Sequence, residues 1–162
     1  MFERTEIGDE ILKQAEEWST FSGNQFSIRN DSNKMITSNI AEIVFSQKYP
    51  EAIRISDTDR NADFLLKGKR VDVKCKERNV FCKKSFDVSV EARQKYYDVD
   101  WYVFYSYNIK SSELEFLGWM DKEGYYKKAN LYKKGDCMDF NNWVVSVDCY
   151  NLKIKNLIRK NE

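Results

Sequence analysis

The stretch Ala62–Glu77, ADFLLKGKRVDVKCKE, decides how this chain folds. It reads as two strands joined by a turn at Lys67 and Gly68, the glycine supplying the positive φ that a tight hairpin needs. With that turn, Leu66 stands opposite Lys69, Leu65 opposite Arg70, Phe64 opposite Val71, and Asp63 opposite Asp72. Side chains alternate along a strand, so Phe64, Leu66, Val71, Val73 and Cys75 form one apolar face. The other face carries Asp63, Leu65, Arg70, Asp72, Lys74 and Lys76. One reading of that second face is the solvated side of an amphipathic hairpin. Like charges directly opposite are destabilising, however, and a solvated face is expected to pair Asp with Lys. Two opposed aspartates make more sense with a cation between them. Hard oxygen ligands suit Mg2+ or Mn2+, held through one or two carboxylates plus water and substrate phosphate. A neighbouring Lys74 could then orient or deprotonate an attacking water, or neutralise developing phosphate charge. A turn shifted by one residue removes the opposition.

Outward from the hairpin, IGDEILKQAEEW places Ile7, Ile11, Ala15 and Trp18 at helical spacing. KMITSNIAEIVFSQKY gathers Ile36, Ile40, Ile43 and Val44 on one face of a second helix, which the single proline, Pro50, ends. EAIRIS is a short strand. KSFDVSVEARQKYY mixes a strand start with a helix, and DWYVFYSYNI and ELEFLGWM are aromatic-rich strands. Trp101, Tyr102, Phe104 and Tyr105 read as sheet packing. DKEGYYKKANLY looks like a short helix with Asp121 as N-cap, and NNWVVSVDCYNLKIKNLIRK a strand with a short element after it. The order α-α-β-β-β-α-β-β-α-β gives an α/β sheet with helices packed on it. A single domain over 1–162 is expected, with N-terminal helices over 6–49, the hairpin and sheet over 52–120, and C-terminal elements over 121–162.

Composition prunes the chemistry. The chain has no histidine, which excludes Ser-His-Asp hydrolysis, Cys-His proteolysis and histidine acid–base catalysis. Its four cysteines show no C-x-x-C spacing, so a zinc site and a disulfide framework are both unsupported, and free thiols in a reducing cytoplasm are expected. No apolar run approaches a membrane span, and Met1–Ser19 is too polar for a signal peptide or anchor. The net charge is +1 but unevenly spread: residues 1–20 carry −4 and residues 67–84 carry +6. A local basic stripe suits a polyanion partner, although surface lysines are common.

The hairpin resembles the PD-(D/E)XK nuclease superfamily, whose members share a restriction-endonuclease-like core, a central mixed β-sheet flanked by helices. Asp72-Val73-Lys74 matches the (D/E)-x-K element, and Asp63 the acidic residue of the preceding strand; Ala62 stands where many members have proline. Glu42, in NIAEIVF, occupies the place of an acid often given by the preceding helix; it reads equally well as a solvent-facing helix residue. EARQKYY offers Gln94 as site support, though with Tyr97 the spacing is Q-x-x-Y where the family has Q-x-x-x-Y. The resemblance covers Asn39–Tyr97; later segments look like small phage-encoded members. It implies Mg2+-dependent hydrolysis of DNA phosphodiester bonds, with Mn2+ as substitute. Asp63, Asp72 and the Val73 carbonyl would hold the metal, Glu42 would bind it through water or hold a second ion, and Lys74 would assist the water or the transition state. Lys69, Arg70, Lys76, Arg78, Lys83 and Lys84 would contact the nucleic-acid backbone.

Three function classes follow. The first is an endodeoxyribonuclease of phage or restriction type, a homodimer if both strands are cut, or a Holliday-junction resolvase. The second is a non-catalytic nucleic-acid-binding module on a nuclease scaffold. The third is an interaction protein working through its acidic N-terminal helix.

Overall fold

The computed structural model describes residues 1–22, 32–138 and 142–159. Its elements are β1 (Glu3–Glu6), α1 (Asp9–Ser22), α2 (Ser32–Lys48), β2 (Ile53–Arg54), β3 (Phe64–Leu66), β4 (Lys69–Arg78) and β5 (Asp87–Glu91). A 3-10 turn (Ala92–Tyr96) leads to β6 (Trp101–Asn108), β7 (Glu113–Asp121), α3 (Lys122–Lys128), β8 (Asn130–Tyr132), β9 (Cys137–Met138), β10 (Trp143–Val144) and β11 (Cys149–Lys153). The architecture is mixed α/β. Six strands form one sheet in the order β1-β7-β6-β4-β3-β2, in which only β4 and β6 run parallel.

The hairpin adopts the expected register, with Phe64 opposite Val71, Leu65 opposite Arg70 and Leu66 opposite Lys69. Its turn has positive φ at both central residues, 49° at Lys67 and 76° at Gly68, the type I′ geometry whose twist matches that of the strands.

The alternation along β4 and β6 sorts the core into two layers. Val71, Val73, Val103 and Tyr105 face α1 and α2, packing with Ile7, Ala15, Ile40, Ile43 and Phe45. Tyr102 and Phe104 face the opposite side, against Val88, Val90, Tyr125, Leu152 and Ile154 from β5, α3, β11 and the 3-10 turn that follows. There β5, β11 and β8 form a second, antiparallel sheet. The aromatic residues of β6 are thus packing residues, as expected. Helix α1 opens with Asp9 and Glu10, which favour its positive end. The buried Asn39 of α2 donates to the Ala15 carbonyl at 3.0 Å and locks the two helices together. Gly118, at φ +133°, lets the C-terminal segment dock: a Cβ there would meet the Ile158 carbonyl at 2.7 Å, where Trp119 and Ile158 exchange backbone bonds.

Some elements differ from expectation. Glu3–Glu6 is an edge strand on β7, and helix α1 starts at Asp9, after the residue 6 expected to open the helical region. The helix expected in EARQKYY is only a 3-10 turn after β5, and no side chain caps its start. Helix α3 stops at Lys128, and Asn130–Tyr132 goes to the second sheet. Asp121 is its N-cap as expected, accepting from Gly124 N–H at 2.8 Å. Residues 23–31 of the expected helical span, and Asn141 and Lys160 of the expected C-terminal stretch, lie outside the described residues. No helix among the described residues is long and apolar enough to cross a membrane.

Candidate active site

The candidate residues meet where β3 leaves β4. β3 accompanies β4 only from Lys69 to Val71, so among the described residues the stretch Asp72–Arg78 has no strand partner on that edge, while β6 pairs its other edge. Asp63 sits at the parting. Its N–H donates to the Val71 carbonyl at 2.9 Å, and its carboxylate Oδ2 accepts from Val73 N–H at 2.7 Å. A side chain thus satisfies an edge amide that β3 no longer reaches. The strand ladder itself stops at Phe64–Val71, and beyond it the Asp63 carboxyl feels the charge of Asp72.

Asp72 and Lys74 project from β4 on the side of Tyr102 and Phe104, away from the helices. Asp72 is buried, and its Oδ2 lies 2.8 Å from Lys74 Nζ. Glu42 comes from α2 and is only 6% exposed, which rules out the solvent-facing alternative. Its Oε2 accepts from Arg54 Nε at 3.2 Å and Ser56 Oγ at 3.1 Å. Arg54 in turn reaches Asp57 at 2.5 Å and lies over the Trp18 ring.

These groups feel one another. Burial raises the Asp63 carboxyl well above its ordinary value, and the charges of Glu42 and Asp72 push it further than Lys74 can offset. Burial also raises Glu42, with Arg54 pulling the other way. Burial alone would lower Lys74, but Asp72, Asp63 and Glu91 together leave it raised, so it stays an ammonium. The arrangement is a group of three interacting carboxylates with two cations beside them, Lys74 on Asp72 and Arg54 on Glu42.

A cleft of about 620 Å³ opens at Lys74, between α2 and β5 along the edge of β4, lined by Lys74 and not by Asp63, Asp72 or Glu42. Lys34, Thr37 and Ser38 line one wall, Lys74–Glu77 the floor, and Ser89, Val90, Glu91 and Gln94 the other wall. Thr37 Oγ1 donates to Glu77 Oε2 at 3.2 Å across the rim. Gln94 lines the cleft, and among the described residues its buried Oε1 has no hydrogen-bond partner.

The basic candidates divide. Lys69, Lys76, Lys83 and Lys84 are exposed. Arg70 is held within the protein by Asp59 and by Asp98, whose carbonyl accepts from Nε at 2.7 Å, and Arg78 donates to Ser106 Oγ at 3.1 Å and the Asp87 carbonyl at 2.8 Å. Both arginines, expected to contact the nucleic-acid backbone, thus carry hydrogen bonds within the protein.

Several neighbours of the site were not anticipated. Glu91 acts on Lys74; its signal is the alternation of FDVSVE, which sets Asp87, Ser89 and Glu91 opposite Val88 and Val90. Arg54 and Ser56, which orient Glu42, share a face of EAIRIS by the same rule. Tyr126, whose hydroxyl lies 3.0 Å from that of Tyr102, feels both Lys74 and Asp72, and only the fold brings it there.

The donor set available to a cation is all oxygen: Asp63, Asp72, Glu42 and the Val73 carbonyl. Among the described residues no three His, Cys, Asp or Glu side chains stand close enough to enclose an ion. Two carboxylates and a carbonyl, with water completing the shell, are a ligand set of the kind Mg2+ accepts. No protein-family model matches the chain, and no curated protein sequence matches it.

Proposed function

We propose that this chain is a divalent-cation-dependent endodeoxyribonuclease with a restriction-endonuclease-like core, as its resemblance to the PD-(D/E)XK superfamily implies. The observation that carries the reading is the meeting of Asp63, Asp72 and Lys74 at the open edge of β4, with Glu42 buried beside them. Lys74 and Arg54 balance Asp72 and Glu42, and the further negative charge of Asp63 beside them costs stability unless a proton or a cation joins it.

Asp63, Asp72 and the Val73 carbonyl would hold Mg2+ or Mn2+, and Glu42 would reach it through water. Such a cation supplies a water of lowered pKa and neutralises charge on phosphate oxygens. Lys74, an ammonium fixed by Asp72, offers N–H donors to the attacking water or to the charge that develops on the phosphate. Arg54 and Ser56 hold Glu42 in one rotamer, and the Gln94 amide faces the cleft where the strand would lie. Lys69, Lys76, Lys83 and Lys84 add sequence-independent attraction for the DNA backbone. Because the described residues carry one such cluster, cutting both strands calls for two copies, and a homodimer is part of the proposal.

The test is cleavage of supercoiled plasmid by the purified chain with Mg2+ or Mn2+. Wild type is expected to nick or cut, and Asp72→Ala and Lys74→Ala to lose roughly a hundredfold or more of the rate. A wild type that is inert with both metals but binds DNA would make the chain a binding module; one that neither cuts nor binds would leave the interaction-protein reading.

A further inference from the structure

Tyr102 and Tyr126 place two hydroxyl groups 3.0 Å apart on the side of the sheet that carries Asp72 and Lys74. Tyr102 is the register partner of Asp72, so the two backbones run about 4.8 Å apart and both side chains leave the same face. Tyr126 arrives from α3, its ring edge-on to those of Tyr125 and Tyr150 at centroid distances of 5.4 and 4.9 Å. Lys95 Nζ lies 5.7 Å from the same centroid. Burial raises both hydroxyls above the ordinary tyrosine value, so each keeps its proton at neutral pH. Both also feel the charge of Asp72, and Tyr126 that of Lys74.

Two hydroxyls that share one hydrogen bond have two protons, so one proton is left for another acceptor. Tyr102 is fully buried, and among the described residues its hydroxyl has Tyr126 as its one hydrogen-bond partner. Were Tyr126 the donor, the Tyr102 proton would be buried without an acceptor, at a cost in stability. Tyr102 is therefore the donor and the Tyr126 oxygen accepts. Tyr126 is only partly buried, and its own proton meets no acceptor among the described residues. The fold thus holds a neutral O–H donor, fixed at both ring and oxygen, on the face of the Asp72–Lys74 pair.

We propose that the Tyr126 hydroxyl donates to a non-bridging oxygen of the scissile phosphate beside Lys74, and that Tyr102 is the positioning residue that sets its direction. The inference rests on the nuclease reading, which brings a phosphate to Asp72 and Lys74. A donor already aimed at an oxygen whose charge grows in the transition state needs no reorganisation as the reaction proceeds. Its loss therefore lowers kcat more than it raises KM.

The test is steady-state cleavage of supercoiled plasmid by the full chain with Mg2+, with thermal melting of each variant alongside. Tyr126→Phe keeps the ring contacts and is expected to lower kcat roughly tenfold, with KM within about twofold of wild type. It also strands the buried Tyr102 hydroxyl, so its melting temperature falls. The double variant Tyr102→Phe/Tyr126→Phe removes that stranded group. It should melt above Tyr126→Phe and still cut as slowly, which separates the lost donor from lost stability. Should Tyr126→Phe fail to fold, the double variant decides alone. Wild-type kcat in Tyr126→Phe, a change in KM alone, or wild-type kcat in the double variant overturns this inference and leaves the nuclease reading standing. A wild type that cuts nothing with Mg2+ or Mn2+ overturns both.

Discussion

Asp63 serves two ends with one carboxylate. It closes the edge of β4 by accepting from Val73 N–H, and it adds negative charge to a pocket already holding Asp72 and Glu42. Its raised pKa means the folded chain holds that proton more tightly than the unfolded chain. Without a divalent cation, this contribution to stability is complete below the ordinary carboxylate value of about 4 and is lost as pH rises towards the higher value of Asp63. Asp63→Asn keeps an acceptor for Val73 while removing the charge. In urea titrations without metal, it should be more stable than wild type at pH 7 by about 1–2 kcal/mol, with a flatter profile from about pH 4 upward. A variant less stable than wild type across that range would show that the cluster is not strained by its own charge. At this scale the sequence was informative, because Asp63, Asp72 and Lys74 are bound by one hairpin register. The roles of Arg54, Ser56 and Tyr126 were not legible, since each arrives at the site from another element.

At the level of elements, what matters is that β3 is short and β4 is long. The turn sets the register, the register decides which face Asp72 and Lys74 occupy, and the early end of β3 leaves the edge on which the cleft forms. Local turn chemistry made this hairpin readable: a glycine after a polar residue, between alternating apolar positions. The N-terminal strand ERTE carries no such signal, because its four residues are polar and only β7 gives it a partner. The turn at Ala92–Tyr96 mimicked a helix in composition but lacks a side-chain cap to start one. Lys67 occupies the left-handed region at φ 49°, a place that suits asparagine better. Lys67→Asn is therefore expected to stabilise the chain by about 1 kcal/mol in thermal or chemical denaturation, with the register unchanged. A loss of stability would mean that the type I′ turn does not set the hairpin.

Across the whole molecule, the sheet separates a helical layer from a second small sheet, and the carboxylate cluster lies where the two layers meet the free edge of β4. The α/β class followed from the strand and helix periods. The second sheet did not, because β5, β8 and β11 are far apart in sequence and each is too short to signal its partner. The same long-range closure brings Glu91 and Gln94 towards Lys74. The proposed activity depends on Asp63 and Asp72 gripping a divalent ion. Isothermal titration of Mn2+ into the wild-type chain and into Asp72→Asn tests that grip with no substrate present. Saturable binding of about one ion per chain in wild type, lost in the variant, is the predicted result; equal binding by both chains, or none by wild type, contradicts it.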